Sequence, residues 1–184
     1  MEIKISDHVF NGDHESTRAI FEFMEQTDFK DKDVIDVGCG SGILTVRASE
    51  LGARHITAID FDSRAVENTR ENLERNGITN ADVYWTDFME TDLHADIIIA
   101  NLPRETGAFC MPKMKRSLNE GGTIITSWYN AMPADELLNG WKAINHFKGE
   151  DYDTYMIRSA LWFSTSYASL SERFRGWYLL VWLL

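Results

Sequence analysis

The sequence is poor in cysteine and proline, with two cysteines and three prolines among its 184 residues. The two cysteines, Cys39 and Cys110, are too few for a disulfide framework or a cysteine-based zinc cluster. The start of the chain also lacks the basic and then apolar segments of a secretory signal. Both features fit a reducing environment, and we expect a cytoplasmic setting.

Long apolar runs and basic residues are scarce as well. The longest apolar run, WYLLVWLL at 177–184, is less than half of the roughly 20 residues that span a bilayer, so no membrane partner is expected. Eighteen Lys and Arg oppose 29 Asp and Glu, for a formal net charge of -11. Such a charge disfavours RNA or DNA as a partner, and it favours a basic, polar or small substrate.

The chain shows no internal repeat, low-complexity tract or linker. At 184 residues and 44% hydrophobic content it can bury one sizeable core, but it is too short for two full domains. We therefore expect a single domain over 1–184. The oligomeric state stays open.

Short aliphatic runs alternate with helical patterns from residue 33 onward. The strand-like segments are VIDVGC, HITAIDF, ADVYWTD, ADIIIANL and GGTIITSWY. Between them lie helical patterns that each end near a glycine: SGILTVRASELG, DSRAVENTRENLERNG and ETGAFCMPKMKRSLNEGG. This alternation predicts parallel pairing through right-handed crossovers, in a Rossmann-like doubly wound α/β sheet of about seven strands with helices on both faces.

The two ends of the chain extend this prediction. Near the C-terminus we expect a helix around PADELLNGWKAI, an extended segment around DTYMIRSALWF, and a last strand in GWYLLVWLL, with one C-terminal strand antiparallel in an otherwise parallel sheet. Near the N-terminus, Ser16 or Thr17 is expected to cap a helix whose residues Ile20, Phe21 and Met24 pack on the sheet.

Three glycines, Gly38, Gly40 and Gly42, stand where the first strand turns into the first crossover helix. A turn without Cβ atoms lets a ligand lie against bare backbone at a helix N-terminus. A nicotinamide or flavin fingerprint would place its third glycine at position 43, which is Ile43. Asp60, at the end of the second strand, is positioned to accept both hydroxyls of a ribose.

This pattern resembles class I S-adenosylmethionine-dependent methyltransferases, whose acidic-x-Gly-x-Gly-x-Gly motif is matched by Asp36 and the three glycines, and whose ribose-binding acid is matched by Asp60. The resemblance implies S-adenosyl-L-methionine as cofactor and a methylation activity of the transferase class EC 2.1.1. It implies that the 38–42 loop packs on the cofactor's methionine and ribose, and that Asp36 reaches the amino end through water. We interpret Cys39 as a small packing residue within that cofactor-binding loop.

The resemblance assigns further cofactor contacts at the ends of later strands. It implies that Phe61 borders the adenine, and that Asp87 receives the exocyclic amine beside its neighbour Phe88. An Asp after a strand also commonly caps the next turn, so this alternative stays open for Asp87. Asn101, at the end of the fourth strand, matches the position that faces the methionine group and the acceptor.

The loop Asn11-Gly12-Asp13-His14-Glu15 resembles the Gly-x-His-x-Thr-Thr loop of ribosomal protein L11 methyltransferases, which closes over the methionine end of the cofactor. The resemblance implies a lid with His14, Ser16 and Thr17 as cofactor contacts, and ordinary helix capping is the alternative. Glu15 and Ser16 depart from that family's residues, and we expect no counterpart of its large N-terminal substrate-recruiting domain. No second histidine stands at metal-ligand spacing, so no metal is expected.

These likenesses divide the domain into an N-terminal lid and helix at 1–30, a cofactor-binding core at 31–130, and a C-terminal helix with the last strands at 131–184. The segment Ala100-Asn101-Leu102 is close to the Ala-Asn-Ile-Leu of L11 methyltransferases, and Asn101-Leu102-Pro103 also resembles the Asn-Leu-Pro of tRNA guanosine-37 methyltransferases. Because of the acidic charge, we expect methyl transfer to a protein or small-molecule nitrogen or oxygen. An RNA methyltransferase and a catalytically silent cofactor-binding partner subunit are the alternatives.

Candidates for the chemistry itself are few. Methyl transfer is an in-line displacement on a sulfonium, for which the protein supplies proximity, alignment and, for a protonated nucleophile, a base. Asn101 is the candidate catalytic residue, and the weaker candidates are Glu105, Asp13, Glu15 and His14. Arg104 and Glu105 are either a surface pair at the start of a helix or contacts to the acceptor or to the cofactor carboxylate. Four aromatic residues are candidates for an acceptor pocket, with core or rim packing the expected role of the first and last: Trp85, Trp128, Tyr129 and Trp141.

Overall fold

The computed structural model describes residues 1–7, 9, 15–129, 141–149 and 152–159. The helices are α1 (Glu15–Glu25), α2 (Ile43–Glu50), α3 (Ser63–Arg75) and α4 (Arg104–Ser117), and Phe88–Glu90 forms a 3-10 turn. The strands are β1 (Asp33–Val37), β2 (His55–Asp60), β3 (Ala81–Trp85), β4 (Ala95–Leu102), β5 (Leu118–Tyr129), β6 (Trp141–Lys148) and β7 (Tyr152–Ser159). No helix within these ranges is long and apolar enough to cross a bilayer.

The strands form one seven-stranded sheet in the order β3-β2-β1-β4-β5-β7-β6. Strands β1 to β5 are parallel to one another, whereas β7 pairs antiparallel with both β5 and β6. The expected mostly parallel sheet with one antiparallel C-terminal strand is therefore confirmed. The chain order reverses beside β1, between β1 and β4, and such a switch point opens a crevice at the carboxyl ends of parallel strands.

The later elements of the chain differ from the sequence prediction in two places. The helical pattern ETGAFCMPKMKRSLNEGG ends as a helix at Ser117, and residues 118–122, which were expected to continue it, belong to β5. The helix expected around PADELLNGWKAI is wrong for residues 141–144, which form the first half of β6. Exposure alternates along β6 with a period of two, as expected for a strand that has only β7 beside it in the described sheet. The rest of that expected helix, 133–140, and the expected strand at 176–184 lie outside the described residues.

The two faces of β4 show how the sheet is covered. Ile97 and Ile99 pack against residues of α1 and α2, while Ile98 packs on the opposite face against Met114 of α4. All three isoleucines are at most 3% exposed. A strand buried on both faces reads as a continuous aliphatic run, which is what ADIIIANL shows.

Two helix starts differ in how well the sequence predicted them. Asp62 caps α3, as its side chain accepts a hydrogen bond from the Arg64 N–H. The capping prediction for Ser16 or Thr17 is wrong, because α1 begins at Glu15 and both residues lie within its first turn. Their hydroxyls are buried and face the sheet instead, since Asn101 at the end of β4 contacts both of them.

Candidate functional site

A cavity of about 450 Å³ lies at the carboxyl ends of β1, β2 and β4 and beside the loop that follows β3. The structure brings most of the predicted site residues to its walls, although they come from separate segments of the chain. The predicted residues that line it are Thr17, Gly38, Cys39, Gly40, Asp60, Phe61, Asp87, Phe88 and Asn101. The predicted convergence of the strand ends on one crevice is therefore confirmed as geometry.

The glycine loop packs against α3 at one glycine and leaves open surface at another. Gly42 has a φ of +78°, and a Cβ on it would lie 2.9 Å from Thr69 Cγ2 of α3, so this glycine lets the loop pack against the helix. Gly40 also has a positive φ, but a Cβ there would meet no atom nearer than the Gly38 carbonyl at 4.0 Å. The surface of Gly40 is thus free for close approach by a ligand.

Asp60 forms a polar wall of the cavity. Its carboxylate is only 8% exposed, and each of its oxygens accepts one backbone N–H: Oδ2 from Gly40 at 3.0 Å and Oδ1 from Asp62 at 2.9 Å. These two bonds hold the plane of the carboxylate at the end of β2. Each carboxylate oxygen has a second lone pair, so the group can also accept two hydrogen bonds from a ligand.

Asp36 lies beneath the glycine loop and is fully buried. Thr45 Oγ1 donates to its Oδ2 at 2.5 Å, while its Oδ1 has no hydrogen-bond partner. Burial raises the pKa of this carboxyl to about 7, with a smaller contribution from the nearby charge of Asp60 and against the opposing effect of the Thr45 hydrogen bond. A buried polar atom without a partner is costly, so this oxygen is suited to a donor brought by a ligand or a water.

Cys39 behaves as the packing residue expected from the sequence. Its side chain lies in a small apolar cluster with Val46, Ala58 and Val66, and Thr69 Oγ1 lies 3.3 Å from its sulfur. Burial raises the pKa of the thiol well above its usual range. The thiol is therefore protonated, and it is unsuited to act as a nucleophile.

Two phenylalanines and an aspartate surround the part of the cavity nearest β3. Phe61 is 76% exposed at the rim, and its carbonyl accepts a hydrogen bond from the Trp85 indole at 2.8 Å. Phe88 is buried and also lines the cavity. Asp87 Oδ1 accepts from the Met89 N–H at 2.9 Å, so the capping alternative holds for Asp87 while the residue also lines the cavity.

Asn101 joins the end of β4 to the N-terminal helix. Its Nδ2 donates to Ser16 Oγ and to Thr17 Oγ1, each at 3.2 Å. Both amide hydrogens are therefore directed toward α1, which leaves Oδ1 as the other polar atom of a side chain that lines the cavity. His14 and Asp13, which precede this helix, lie outside the described residues.

The start of α4 forms the remaining wall. Arg104 and Glu105 line the cavity, Arg104 partly buried and Glu105 exposed. Pro103 occupies the N-cap position and provides no side-chain cap. A carboxylate in the first turn, such as Glu105, compensates by interacting favourably with the free N–H groups of the helix start.

The predicted aromatic lining is wrong for Trp128. This residue is 1% exposed and lies in the core beneath α4, where its ring packs against Gly107 and its indole N–H donates to Thr126 Oγ1. Trp85 is exposed at the rim, and Trp141 packs at the edge of the core with Lys115 Nζ 5.5 Å from its ring centre. The side chain of Tyr129 lies outside the described residues.

Two residues of α3 that hold the glycine loop were missed by the sequence reading. Thr69 Oγ1 donates to the Gly40 carbonyl at 3.0 Å, and Asn72 Nδ2 donates to the Ser41 carbonyl at 2.8 Å. The available signal was the spacing of Asn68, Asn72 and Asn76, which puts three amides on one face of a helix. Across the described ranges, no group of three or more His, Cys, Asp or Glu could hold a metal ion.

Comparison with known proteins places this site in a family context. Residues 10–152 match the family model described as ribosomal protein L11 methyltransferase (PrmA). Ribosomal protein L11 methyltransferases from Clostridium perfringens and Shewanella halifaxensis are 38% and 37% identical over 117 and 127 residues, which are 63% and 68% of this chain but only 37% and 43% of theirs. The chain thus spans about two fifths of the length of these relatives.

A solved structure agrees with these relatives. A ribosomal protein L11 methylase from Lactobacillus delbrueckii subsp. bulgaricus superimposes with a TM-score of 0.78 at 26% sequence identity. The superposition covers 85% of this chain and 84% of that one. The similarity therefore extends over most of both folds.

Proposed function

The chain belongs to the ribosomal protein L11 methyltransferase family, and from this premise we propose that it binds S-adenosyl-L-methionine and transfers the methyl group to a protein nitrogen. Membership confirms the resemblance predicted from the glycine motif. The observation that carries the proposal is the Asp60 carboxylate, fixed by two backbone N–H groups at the wall of a cavity bordered by the open surface of Gly40.

The residues of the cavity fit the parts of this cofactor. We assign the ribose hydroxyls to Asp60, because a carboxylate with free lone pairs on both oxygens can accept two O–H groups. The adenine is assigned to the space between Phe61 and Phe88, with Asp87 accepting its amine. The methionine end is assigned to Thr17 and to the loop above Asp36, together with His14, which lies outside the described residues.

When bound, the cofactor supplies a methyl group on a sulfonium, which is a good leaving group for in-line displacement. The protein's own part is to align a nucleophile and to exclude water. We assign alignment to Asn101, whose Oδ1 can accept a hydrogen bond from the N–H of an acceptor amine. Glu105, an exposed carboxylate at the same wall, is the candidate to receive a proton that the amine carries.

Two properties of the chain support a polypeptide acceptor. Its net charge of -11 attracts basic segments and repels the phosphates of nucleic acid. The relatives that share its family are named for ribosomal protein L11, which we propose as the acceptor to test first.

Both cysteines are buried free thiols, which fits the cytoplasmic setting that we propose.

The cofactor assignment is tested by calorimetric titration with S-adenosylhomocysteine. The Asp60→Ala variant should bind about 100-fold more weakly, because it loses two hydrogen bonds to a charged acceptor. Asp92→Ala is the matched control, since that carboxylate is fully exposed and does not line the cavity. Equal affinity in the two variants, or no binding by the unaltered protein, would contradict the assignment.

The acceptor is tested by transfer of labelled methyl groups. Purified ribosomal protein L11 and a tRNA pool are offered in parallel at low and high salt. Labelling of the protein supports the proposal. Labelling of the RNA that falls steeply with salt would favour the RNA methyltransferase alternative. Cofactor binding without labelling of either would favour a silent partner subunit.

A further inference from the structure

Residues 1–7, named here the N-terminal strap, run in extended form along α3. Three asparagines lie on one face of α3, and two of them, Asn68 and Asn76, bind the main chain of the strap. Asn76 Oδ1 accepts from the Glu2 N–H at 2.7 Å, and its Nδ2 donates to the Glu2 carbonyl at 2.6 Å. Asn68 Oδ1 accepts from the Ser6 N–H at 3.1 Å. These amides bind peptide groups and no strap side chain, so the contact depends on backbone conformation.

The third asparagine, Asn72, lies between the other two and is fully buried. Its Oδ1 accepts from the Lys4 N–H at 2.9 Å, and its Nδ2 donates to the Lys4 carbonyl at 2.7 Å. The same Nδ2 donates its second hydrogen to the Ser41 carbonyl in the glycine loop, at 2.8 Å. One side chain therefore joins the strap to the loop, with both of its donors and its acceptor in use.

The strap also reaches the cavity along the chain. The Val9 N–H donates to the Ser6 carbonyl at 3.1 Å, which turns the chain at the end of the strap. This turn places Val9 on the cavity wall. The strap is thus attached to the candidate cofactor site at two points: the Ser41 carbonyl through Asn72, and Val9 through the turn.

We propose that Asn72 is a positioning residue for the cofactor, and that it couples the docking of the N-terminal strap to the shape of the glycine loop. The inference rests on the proposed function, because it concerns the same cofactor site. A buried amide that loses one partner leaves unsatisfied polar groups, so neither the strap nor the loop can shift without a cost to the other. Such coupling is reciprocal: cofactor binding must stabilise the docked strap to the same extent.

The test compares Asn72→Ala with Asn76→Ala in the full chain, using calorimetric titration with S-adenosylhomocysteine and thermal melting. Asn76 is the matched control, because it binds the strap in the same way but makes no bond to the glycine loop. Both variants should melt at lower temperature. Only Asn72→Ala should bind the ligand about tenfold more weakly, while Asn76→Ala stays within about twofold of the unaltered protein.

Equal affinities in the two variants, with similar losses of melting temperature, would show that the asparagines only stabilise the fold and would overturn the inference. Failure of the unaltered protein to bind the ligand would instead overturn the proposed function, and this inference with it. The two failures are therefore distinguishable in one set of titrations.

A second measurement needs no variant and covers the case in which Asn72→Ala does not fold. Amide hydrogen exchange of the unaltered protein is followed with and without saturating S-adenosylhomocysteine. The amides of Glu2, Lys4 and Ser6, which donate to the three asparagines, should exchange at least about threefold more slowly with ligand. Slowing confined to the 38–42 loop would overturn the coupling.

Discussion

The two walls of the cavity are built differently. On the loop wall, named here for residues 38–42, hydrogen bonds fix the backbone from several sides, through Asp60, Thr69 and Asn72. On the α4 wall, residues 101–105, helix α4 follows an N-cap proline that provides no side-chain cap, and Glu105 is exposed. Polar groups that are already held in place lose little conformational entropy when they bind a ligand of fixed shape, whereas an open wall can bind partners of different shapes. This difference agrees with our assignment of the cofactor to the loop wall and the acceptor to the α4 wall.

The largest expected effect concerns the packing of the loop wall. Gly42→Ala should lower the free energy of unfolding by about 3 kcal/mol, because it adds backbone strain at positive φ and a clash with Thr69. Gly40→Ala should lower it by only about 1 kcal/mol, since its Cβ meets open space, but should weaken binding of S-adenosylhomocysteine strongly. Urea unfolding and ligand titration separate the two, and equal stability losses would break the contrast between packing and ligand surface.

The next prediction concerns Asp36, the buried carboxyl beneath the loop wall. The pKa of Asp36 is about 7 in the folded protein against 3.8 for an ordinary aspartate, so the folded state holds this proton more tightly than the unfolded chain does. The resulting stabilisation is complete below pH 3.8, is lost as the pH rises toward 7, and is absent above it.

Asp36→Asn does not titrate, so its free energy of unfolding relative to the unaltered protein should increase by about 2 to 3 kcal/mol between pH 5 and pH 8. Urea unfolding of both proteins at the two pH values measures this difference. A difference that does not change with pH would mean that the pKa of Asp36 is the same in the folded and the unfolded protein. The carboxylate beneath the loop wall would then be charged at both pH values.

A smaller effect is expected where the α4 wall contacts α1. Asn101→Ala loses two hydrogen bonds of 3.2 Å and should lower the free energy of unfolding by about 1 kcal/mol. Binding of S-adenosylhomocysteine should change less than about threefold, while the rate of methyl transfer falls about tenfold or more. Asn119→Ala is the control, because that exposed amide donates to Asp96 and does not line the cavity. Equal losses of binding and rate would place Asn101 on the cofactor side.

The smallest effect belongs to the α4 wall itself. Glu105→Gln removes a negative charge from the first turn of α4 and should lower the free energy of unfolding by about 0.3 to 0.5 kcal/mol. Cofactor affinity should remain within about twofold. If the rate of methyl transfer falls clearly and the variant reaches its full rate only at higher pH, proton removal is assigned to this wall and the contrast becomes sharper. A large loss of cofactor affinity would contradict it.

The strands from β1 to β4 were predicted nearly to their ends, because short runs rich in aliphatic, β-branched and aromatic residues are local signals. Asp62 was likewise recognisable as a cap from its position before a helical pattern. Strand β6 was misread over 141–144, since four residues of mixed polarity carry no decisive period, and pairing with β7 decides their state. Trp128 was expected at the cavity, but its burial depends on the facing Gly107 of α4, which no local pattern reveals.

What the sequence determined by itself is the kind and order of the core elements and the place of the glycine loop, because periodicity and glycine spacing act between near neighbours in the chain. Only the tertiary structure decided which side chains hold that loop. Asn72 contacts residues 68 and 31 positions away, at Lys4 and Ser41, and such partners are chosen by the packing of whole elements. The same reason explains why the Asn101 contact to α1, across 84 or 85 positions, emerged only from the fold.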